Sequence, residues 1–397
     1  MLKKLFNKKN MNEFSLKRSF CPRISLITQI LSINNQRVIF IYFHELTFLN
    51  YTHEYQKIQA AGFELLVKTF GSFIGKDNET IYIRQKGKVV YQKPVRLLRN
   101  ITVIAGGVSL SSNVIWFCAK NNISIDFLGK DGKPYSMLVS PNFAAGHTMQ
   151  QQLAALHNGK AAEFVVKIIV AKITNQINVL KYFSKSRAEK DADFKNKVSH
   201  ETAKMQQIAE KIELLETKNI NNLQQDIFLL EAQAAGAYWA AVANLLEDYH
   251  KFDARKKQGA TDLVNSMLNY GYGILYARVW EALMRAKLNP YIGYLHSDKR
   301  NDPALVFDFI EQFRQQIVDR TVFSLITKRE NMEVKDGWLT EDTKIRLSEK
   351  IFDRLNTVIK FRGSEIHISE IIFKLANQLA SFIEGKTKNY KPFVGKW

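Results

Sequence analysis

Tyr291–Arg320 reads YIGYLHSDKRNDPALVFDFIEQFRQQIVDR. One histidine, His296, stands in a turn rich in Gly and Tyr, a short polar loop with Pro303 follows, and an amphipathic helix comes next. On that helix Asp308 and Glu311 lie three residues apart, which at about 100° per residue puts both carboxylates on one face. A histidine facing two carboxylates is a candidate divalent-metal site.

On both sides of this stretch the period is helical. Gln150–Phe183, Asp193–Leu215, Asn222–Tyr249 and Asp262–Met284 each read as a helix, and three or more follow Pro303. Asp193–Leu215 is heavily charged and is expected to face solvent or to lie along a partner. Asn222–Tyr249 is dense in small residues, Ala232, Ala234, Ala235, Gly236 and Ala237 among them, which suits the middle of a bundle because helices can approach closely there. Residues 143–397 therefore read as one large all-α domain.

Upstream, over residues 61–142, the pattern changes to short apolar or alternating runs parted by turn residues. Glu79–Arg84 and Lys88–Tyr91 flank Gln85-Lys86-Gly87 as a hairpin, and Ile101–Ile104, Ile123–Leu128 and Tyr135–Val139 read as further strands. Ser111–Asn122 reads as one short helix between strands. This small, mostly-β domain carries no catalytic cluster and is expected to serve as scaffold or dimerisation surface. The fold class is thus α+β.

Residues 1–60 differ again, with nine Lys and Arg against three Glu. The apolar run Ile24–Leu49 is interrupted by Gln29, Asn34, Asn35, Gln36 and Arg37, too often for a membrane span. No small-residue cleavage site follows an unbroken apolar core, so a signal peptide is not expected either. The segment is an unassigned basic extension, either an appended element or the product of an upstream start codon.

At 397 residues, 46% of them hydrophobic, the chain can bury a sizeable core. Its 57 Lys and Arg exceed its 38 Asp and Glu, a formal net charge of +19. Such an excess meets an anion or is screened: nucleic acid is the commonest partner, an acidic membrane surface the next, and a merely solvated basic surface the plain alternative. Cys21 and Cys118 are the only cysteines and have no ligand spacing, which argues against a disulfide framework or structural zinc and for a reducing, cytoplasmic setting. Cys118 reads as a buried core thiol. No GxGxxG, Walker or HExxH motif occurs, and His250 and His367 lack carboxylates at ligand spacing.

One further acid stands out. Glu231 shares a helix face with Ile227, Phe228, Ala234, Ala235 and Tyr238, the face expected to point inward. An ionised carboxylate there is costly unless paired or metal-bound. A salt bridge to Arg278 or Arg285, an edge position reaching solvent, and a metal ligand are all compatible with the spacing. With Glu231 the set becomes Glu231, His296, Asp308 and Glu311, whose oxygen-rich chemistry suits magnesium or manganese better than zinc.

Several segments then fall into a recognisable order. Leu230–Trp239 (LEAQAAGAYW) carries E-x-x-A-A-x-x-Y, Asp262–Tyr272 (DLVNSMLNYGY) is similar to D-P-x-N-x-x-L-x-Y-x-Y, Gly293–His296 (GYLH) to G-x-L-H, and Asp308–Arg314 (DFIEQFR) with Val318-Asp319 to D-L-x-E-x-F-R then V-D. Lys172–Gln176 (KITNQ) and Tyr390–Phe393 (YKPF) with Trp397 are weaker matches. Together, from about Leu65 to Trp397, they resemble CRISPR-associated protein 1, the family of metal-dependent integrases that insert new spacers into CRISPR arrays. Leu263 and Gln315 depart from prolines of the pattern, and Ala286-Lys287 from Gly-Leu, all at scaffold positions.

The resemblance implies metal ligands at Glu231, His296 and Glu311, with Asp308 an auxiliary carboxylate. It implies a β-rich dimerisation domain (residues 61–142), a helical catalytic domain (residues 143–397), and two homodimers bridged by a dimer of CRISPR-associated protein 2 on double-stranded DNA, with no membrane. The implied reaction is transesterification, a DNA 3′-OH attacking a phosphodiester at the edge of a CRISPR repeat. Arg255, Lys256, Lys257, Lys299, Arg300 and Arg314 are the basic residues nearest in sequence for phosphate contacts, although Arg314 could equally pair with Glu311 or Asp308. The rival readings are a metal-dependent nuclease that cuts branched or single-stranded nucleic acid without joining, and a non-catalytic nucleic-acid-binding protein.

Overall fold

The computed structural model describes residues 16–21, 24–33, 36–42, 63–140, 146–189, 191–215, 220–296 and 302–395. The chain divides into two compact units, Met1–Phe63 and Glu64–Trp397. The first contains a three-stranded antiparallel sheet, β1 (Leu16–Cys21), β2 (Ile24–Ile33) and β3 (Gln36–Tyr42), with Leu16 opposite Gln29 and Ile27 opposite Tyr42. The basic extension, to which the sequence reading assigned no element, thus carries strands.

The β-rich part comprises β4 (Phe63–Val67), β5 (Phe73–Asp77), β6 (Thr80–Gln85), β7 (Lys88–Pro94), β8 (Leu98–Val103), β9 (Ser109–Leu110), helix α1 (Ser112–Lys120), β10 (Ile125–Leu128) and β11 (Pro134–Leu138). They form two four-stranded sheets, β11-β10-β8-β4 and β7-β6-β5-β9. The expected hairpin turns through Lys86 and Gly87, both at positive φ (47° and 78°), the geometry that matches the twist of the strands it joins. Ile81 and Ile83 alternate into the core while β7 is largely exposed at the sheet edge. Ser111 caps α1, its hydroxyl accepting the Val114 N–H at 3.3 Å. Cys118 on α1 is buried, and burial pushes its thiol up to about 12.

The helical part runs through α2 (Gly146–Ala155), α3 (Lys160–Ala188), α4 (Ala192–Glu213), α5 (Ile220–Leu246), α6 (Leu263–Arg285), α7 (Ala304–Ile310), α8 (Arg320–Thr327), α9 (Glu341–Leu355) and α10 (Ile368–Ile383). The single helix expected over 150–183 is two, because Gly159 (φ 82°) breaks the chain between α2 and α3. Helix α4 is less solvated than its charge suggests: it packs between α3 and α5 through Phe194, Val198, Met205, Ile208 and Ile212, its charges confined to the outer face. Two hairpins, β12 (Val334–Lys335) with β13 (Trp338–Leu339) and β14 (Val358–Phe361) with β15 (Ser364–His367), interrupt the helices. Each turns on an Xaa-Gly pair at positive φ, Asp336-Gly337 and Arg362-Gly363. The α+β class therefore stands, with two short hairpins in the half read as all-α.

Helix α6 is the axis of the unit. Asp262 caps it, accepting the Asn265 N–H at 2.9 Å, and Gly271 lets it approach the segment after α7, since a Cβ there would lie 2.6 Å from Val318 Cγ1. Its buried Arg278 joins the β-rich part to the bundle: it donates to Asn100 Oδ1 and Thr102 Oγ1 at 2.6 Å each and to Glu281 Oε2 at 3.2 Å, and pairs with Glu64 and Asp126. Three carboxylates share one guanidinium there. Burial, opposed by Arg278, pushes Glu281 up to about 7. Among the described residues no helix is long and apolar enough to cross a membrane.

Candidate active site

The histidine turn is built on a carboxylate. Asp308 is buried in the first turns of α7 and accepts the backbone N–H groups of Tyr294 (2.7 Å), Leu295 (3.1 Å) and His296 (3.2 Å). Its Oδ1 also lies 2.7 Å from His296 Nδ1. Gly293 makes the turn possible, because a Cβ there would fall 2.5 Å from the Ala304 carbonyl carbon. With Nδ1 held, Nε2 is the ring nitrogen left for a ligand, the arrangement in which a carboxylate fixes the tautomer and direction of a metal-binding imidazole. Burial alone would lower the His296 pKa. The hydrogen bond and charge of Asp308, helped by Glu311 and Glu231, outweigh it and raise the value.

Glu311 sits where the helix breaks. The sequence suggests one amphipathic helix, but α7 ends at Ile310, residues 311–313 form a turn, and Gln315–Asp319 form a π-helical turn before α8. The reason is competition for the backbone: Asn175 Nδ2 on α3 donates to the Gln312 carbonyl at 2.9 Å and to the Phe393 carbonyl at 2.9 Å. Gln312 Oε1 in turn accepts Phe393 N–H (2.9 Å) and the Tyr390 hydroxyl (3.2 Å). The two weaker sequence matches, around Asn175 and Tyr390–Phe393, are therefore one clasp that shapes the backbone next to Glu311. Such π turns are frequent at functional sites.

Glu231 on α5 faces the same space. Phe228, one turn earlier, contacts the His296 ring (centroids 5.9 Å apart), so α5 borders the histidine turn. Tyr238 and Tyr272 both donate to the buried Asp319, Tyr238 at 2.7 Å, tying α5 and α6 to the π turn. The two carboxylates meet at Lys172 of α3, whose Nζ bonds Glu231 Oε1 and lies 2.7 Å from Glu311 Oε2. The three side chains are only 13% (Lys172), 15% (Glu231) and 7% (Glu311) exposed. Arg314 Nε takes the other Glu311 oxygen at 3.2 Å. Burial raises the Glu311 pKa, but Arg314, Lys172 and His296 outweigh it and hold the carboxyl at about 2.

Of the alternatives open for Glu231, the ion pair is made, with Lys172 and not with Arg278 or Arg285, both of which are engaged with Glu281. Lys172, part of the weaker KITNQ match, has no role that spacing alone assigns; its one signal is a lysine on an otherwise buried stretch of helix, beside Ile168, Ile169 and Ala171. Among the basic residues, Arg314 pairs with Glu311 and packs over Tyr272. The Arg255 guanidinium is occupied by Asn265 (3.1 Å) and Asn269 (2.6 Å) and packs against Trp239 and Tyr272. Lys256 and Lys257 are exposed, and burial of the Lys257 stem together with nearby Lys172 lowers its pKa. Lys299 and Arg300 lie outside the described residues.

Among the described residues no three His, Cys, Asp or Glu side chains converge as a ready metal cage. The donor types nonetheless suit a hard divalent ion: two carboxylates that share one cation, and an imidazole oriented by Asp308 that feels the charge of both. Glu311 Oε2 is buried with no hydrogen bond beyond its Lys172 ion pair. The family described as CRISPR associated protein Cas1 matches residues 65–359. The chain belongs to that family.

The matched span of this Cas1-family chain includes all three candidate ligands, Asp308 and Lys172. It is similar to the CRISPR-associated endonuclease Cas1 1 of Archaeoglobus fulgidus, 28% identical over 345 residues that cover 84% of this chain and 99% of the relative. The CRISPR-associated endonuclease Cas1 1 of Francisella tularensis subsp. novicida is 28% identical over 336 residues, with the same coverage. Three solved structures share the fold. They are a casposase bound to integration product (TM-score 0.66, 22% identity, 83% of this chain and 92% of that one), a CAS1 protein from Thermotoga maritima (0.63, 18%, 81% and 97%) and a chain of a Cas6-RT-Cas1–Cas2 complex (0.65, 17%, 84% and 36%).

Proposed function

We propose that this Cas1-family protein is a metal-dependent DNA integrase and endonuclease of CRISPR adaptation, with Glu231, His296 and Glu311 holding magnesium or manganese. The observation that carries the proposal is the meeting of Glu231 and Glu311 around one cation beside a histidine whose ring is fixed by Asp308. The similarity to CRISPR-associated endonucleases supports the cutting chemistry, and the likeness to a casposase bound to integration product supports joining.

In the proposed reaction the 3′-OH of a captured DNA fragment attacks a phosphodiester at the edge of a CRISPR repeat. One P–O bond forms as another breaks, and the displaced strand leaves with its own 3′-OH. The ion, when bound, lowers the pKa of the attacking hydroxyl and offsets charge on the phosphorus. The protein's own part is placement. Asp308 keeps the His296 ring directed, the clasp on Gln312 fixes Glu311, and Asp319 locks the elements that carry Glu231 and Glu311. Lys256 and Lys257 supply positive charge at the rim for a DNA backbone.

Two ends must be joined a fixed distance apart, so the working unit is taken to be an assembly: homodimers on double-stranded DNA with CRISPR-associated protein 2 as partner, in the cytoplasm. The Cas1–Cas2 complex among the structural neighbours supports that partner, and the exposed edge strand β7, with Val89 and Val90 outward, supports pairing through the β-rich part. The test is a spacer-integration assay with the partner protein, a 3′-OH fragment and a repeat-bearing plasmid. Joined product with manganese, absent without it and absent in His296→Ala, supports the proposal. Cut but unjoined plasmid would favour a nuclease, and activity indifferent to His296 would favour a different site.

A further inference from the structure

We propose that Lys172 is the resident occupant of the Glu231–Glu311 pair, a side-chain cation that fills the ion's place until a divalent ion displaces it. The inference rests on the reading of Glu231, His296 and Glu311 as an ion site. Its starting point is that the Lys172 ammonium touches both carboxylates at once, one on α5 and one in the turn after α7, and is nearly out of solvent.

The charges explain why the two occupants exclude each other. Glu231 and Glu311 are balanced by Lys172 and Arg314, and Arg314 already holds the second Glu311 oxygen. A divalent ion added to that balanced set meets an ammonium at contact distance in a site of low dielectric, which is strongly unfavourable. Between the two glutamates stands the lysine, not empty space. The lysine stem is long and flexible, so it can leave without moving α3. Once out, its ammonium remains beside the site, where a phosphate would be its next partner. The device keeps two buried acids neutralised before loading and weakens ion binding, the apparent Kd being the intrinsic one divided by the fraction of time the lysine is out.

The test uses the full-length protein and Mn²⁺ as the probe. Mn²⁺ affinity is measured by electron paramagnetic resonance on wild type, Lys172→Met, Lys172→Arg and Glu231→Gln, with folding checked by circular dichroism. Lys172→Met should bind Mn²⁺ about 10-fold tighter or more, since no competitor has to leave, and Lys172→Arg should bind no tighter than wild type. In wild type, labelling of Lys172 by acetic anhydride, read by mass spectrometry, should be slow in chelator and rise several-fold with Mn²⁺, a readout that does not depend on any variant folding. Wild-type binding that is lost in Glu231→Gln but unchanged or weaker in Lys172→Met, with Lys172 labelling indifferent to Mn²⁺, overturns the lysine inference and leaves the ion site intact. No Mn²⁺ binding by wild type or Lys172→Met overturns both.

Discussion

Replacing Asp308 by asparagine preserves the outline of the side chain and removes its charge, and the structure sets the cost. The carboxylate accepts three backbone N–H groups, from Tyr294, Leu295 and His296, and faces His296 Nδ1. An amide has one accepting oxygen and presents N–H to the rest, so at least one buried donor pair faces a donor. At about 1–3 kcal/mol per orphaned donor, partly offset by no longer burying a charge, the expected loss of stability is about 2–4 kcal/mol. Released from its orienting partner, His296 should lose about 10- to 100-fold in metal affinity. Its pKa should also fall, because the burial that opposes protonation would no longer be outweighed. In wild type the raised His296 pKa contributes stability that is complete below the unfolded value and is lost as pH rises through the folded value. Asp308→Asn should erase that slope. Urea unfolding, a Mn²⁺ titration and the NMR titration of the His296 ring read the three effects. A folded Asp308→Asn protein with unchanged ring titration and unchanged Mn²⁺ affinity would refute the assignment of Asp308 as the support of His296.

Other perturbations are equally specific. Glu281 is pushed up to about 7 from 4.5, so the folded protein holds its proton more tightly and stability should fall as pH rises from about 4.5 to 7; Glu281→Gln should flatten that part of a pH series of urea midpoints. Gly271→Ala should destabilise by about 1–3 kcal/mol through overpacking, because the new Cβ meets Val318 at 2.6 Å and Ile351 at 3.0 Å; a change in melting temperature near zero would contradict that packing. Phe393→Ala removes a buried ring stacked on Phe313 at 5.7 Å and should cost about 3–5 kcal/mol. Because Phe393 belongs to the clasp on Gln312, a drop in Mn²⁺ affinity should accompany it, and calorimetry with a metal titration checks both.

Much of this was legible in the residues because periodicity records burial. The hairpin at Lys86-Gly87, the Ser111-capped helix and the inward face of Glu231 follow from spacing and turn chemistry. What spacing could not supply was long-range competition for backbone groups. The π turn after Ile310 exists because Asn175, 137 positions away, takes the Gln312 carbonyl, and no local pattern encodes that. The split at Gly159 was available from Asn158-Gly159 but was masked by the apolar period on either side. The role of Lys172 needed three helices brought together before the lysine had two carboxylates to meet. The short hairpins at Asp336-Gly337 and Arg362-Gly363 have strands of only two to four residues, too brief to show alternation.

The central claim, that Glu231, His296 and Glu311 form one ion site, is tested most directly by anomalous diffraction from crystals of this protein soaked in Mn²⁺. The account predicts a peak about 2.0–2.3 Å from a carboxylate oxygen of Glu231, one of Glu311 and His296 Nε2, with Lys172 turned away. A manganese peak elsewhere, with Lys172 still bridging the two glutamates at saturating metal, would contradict it.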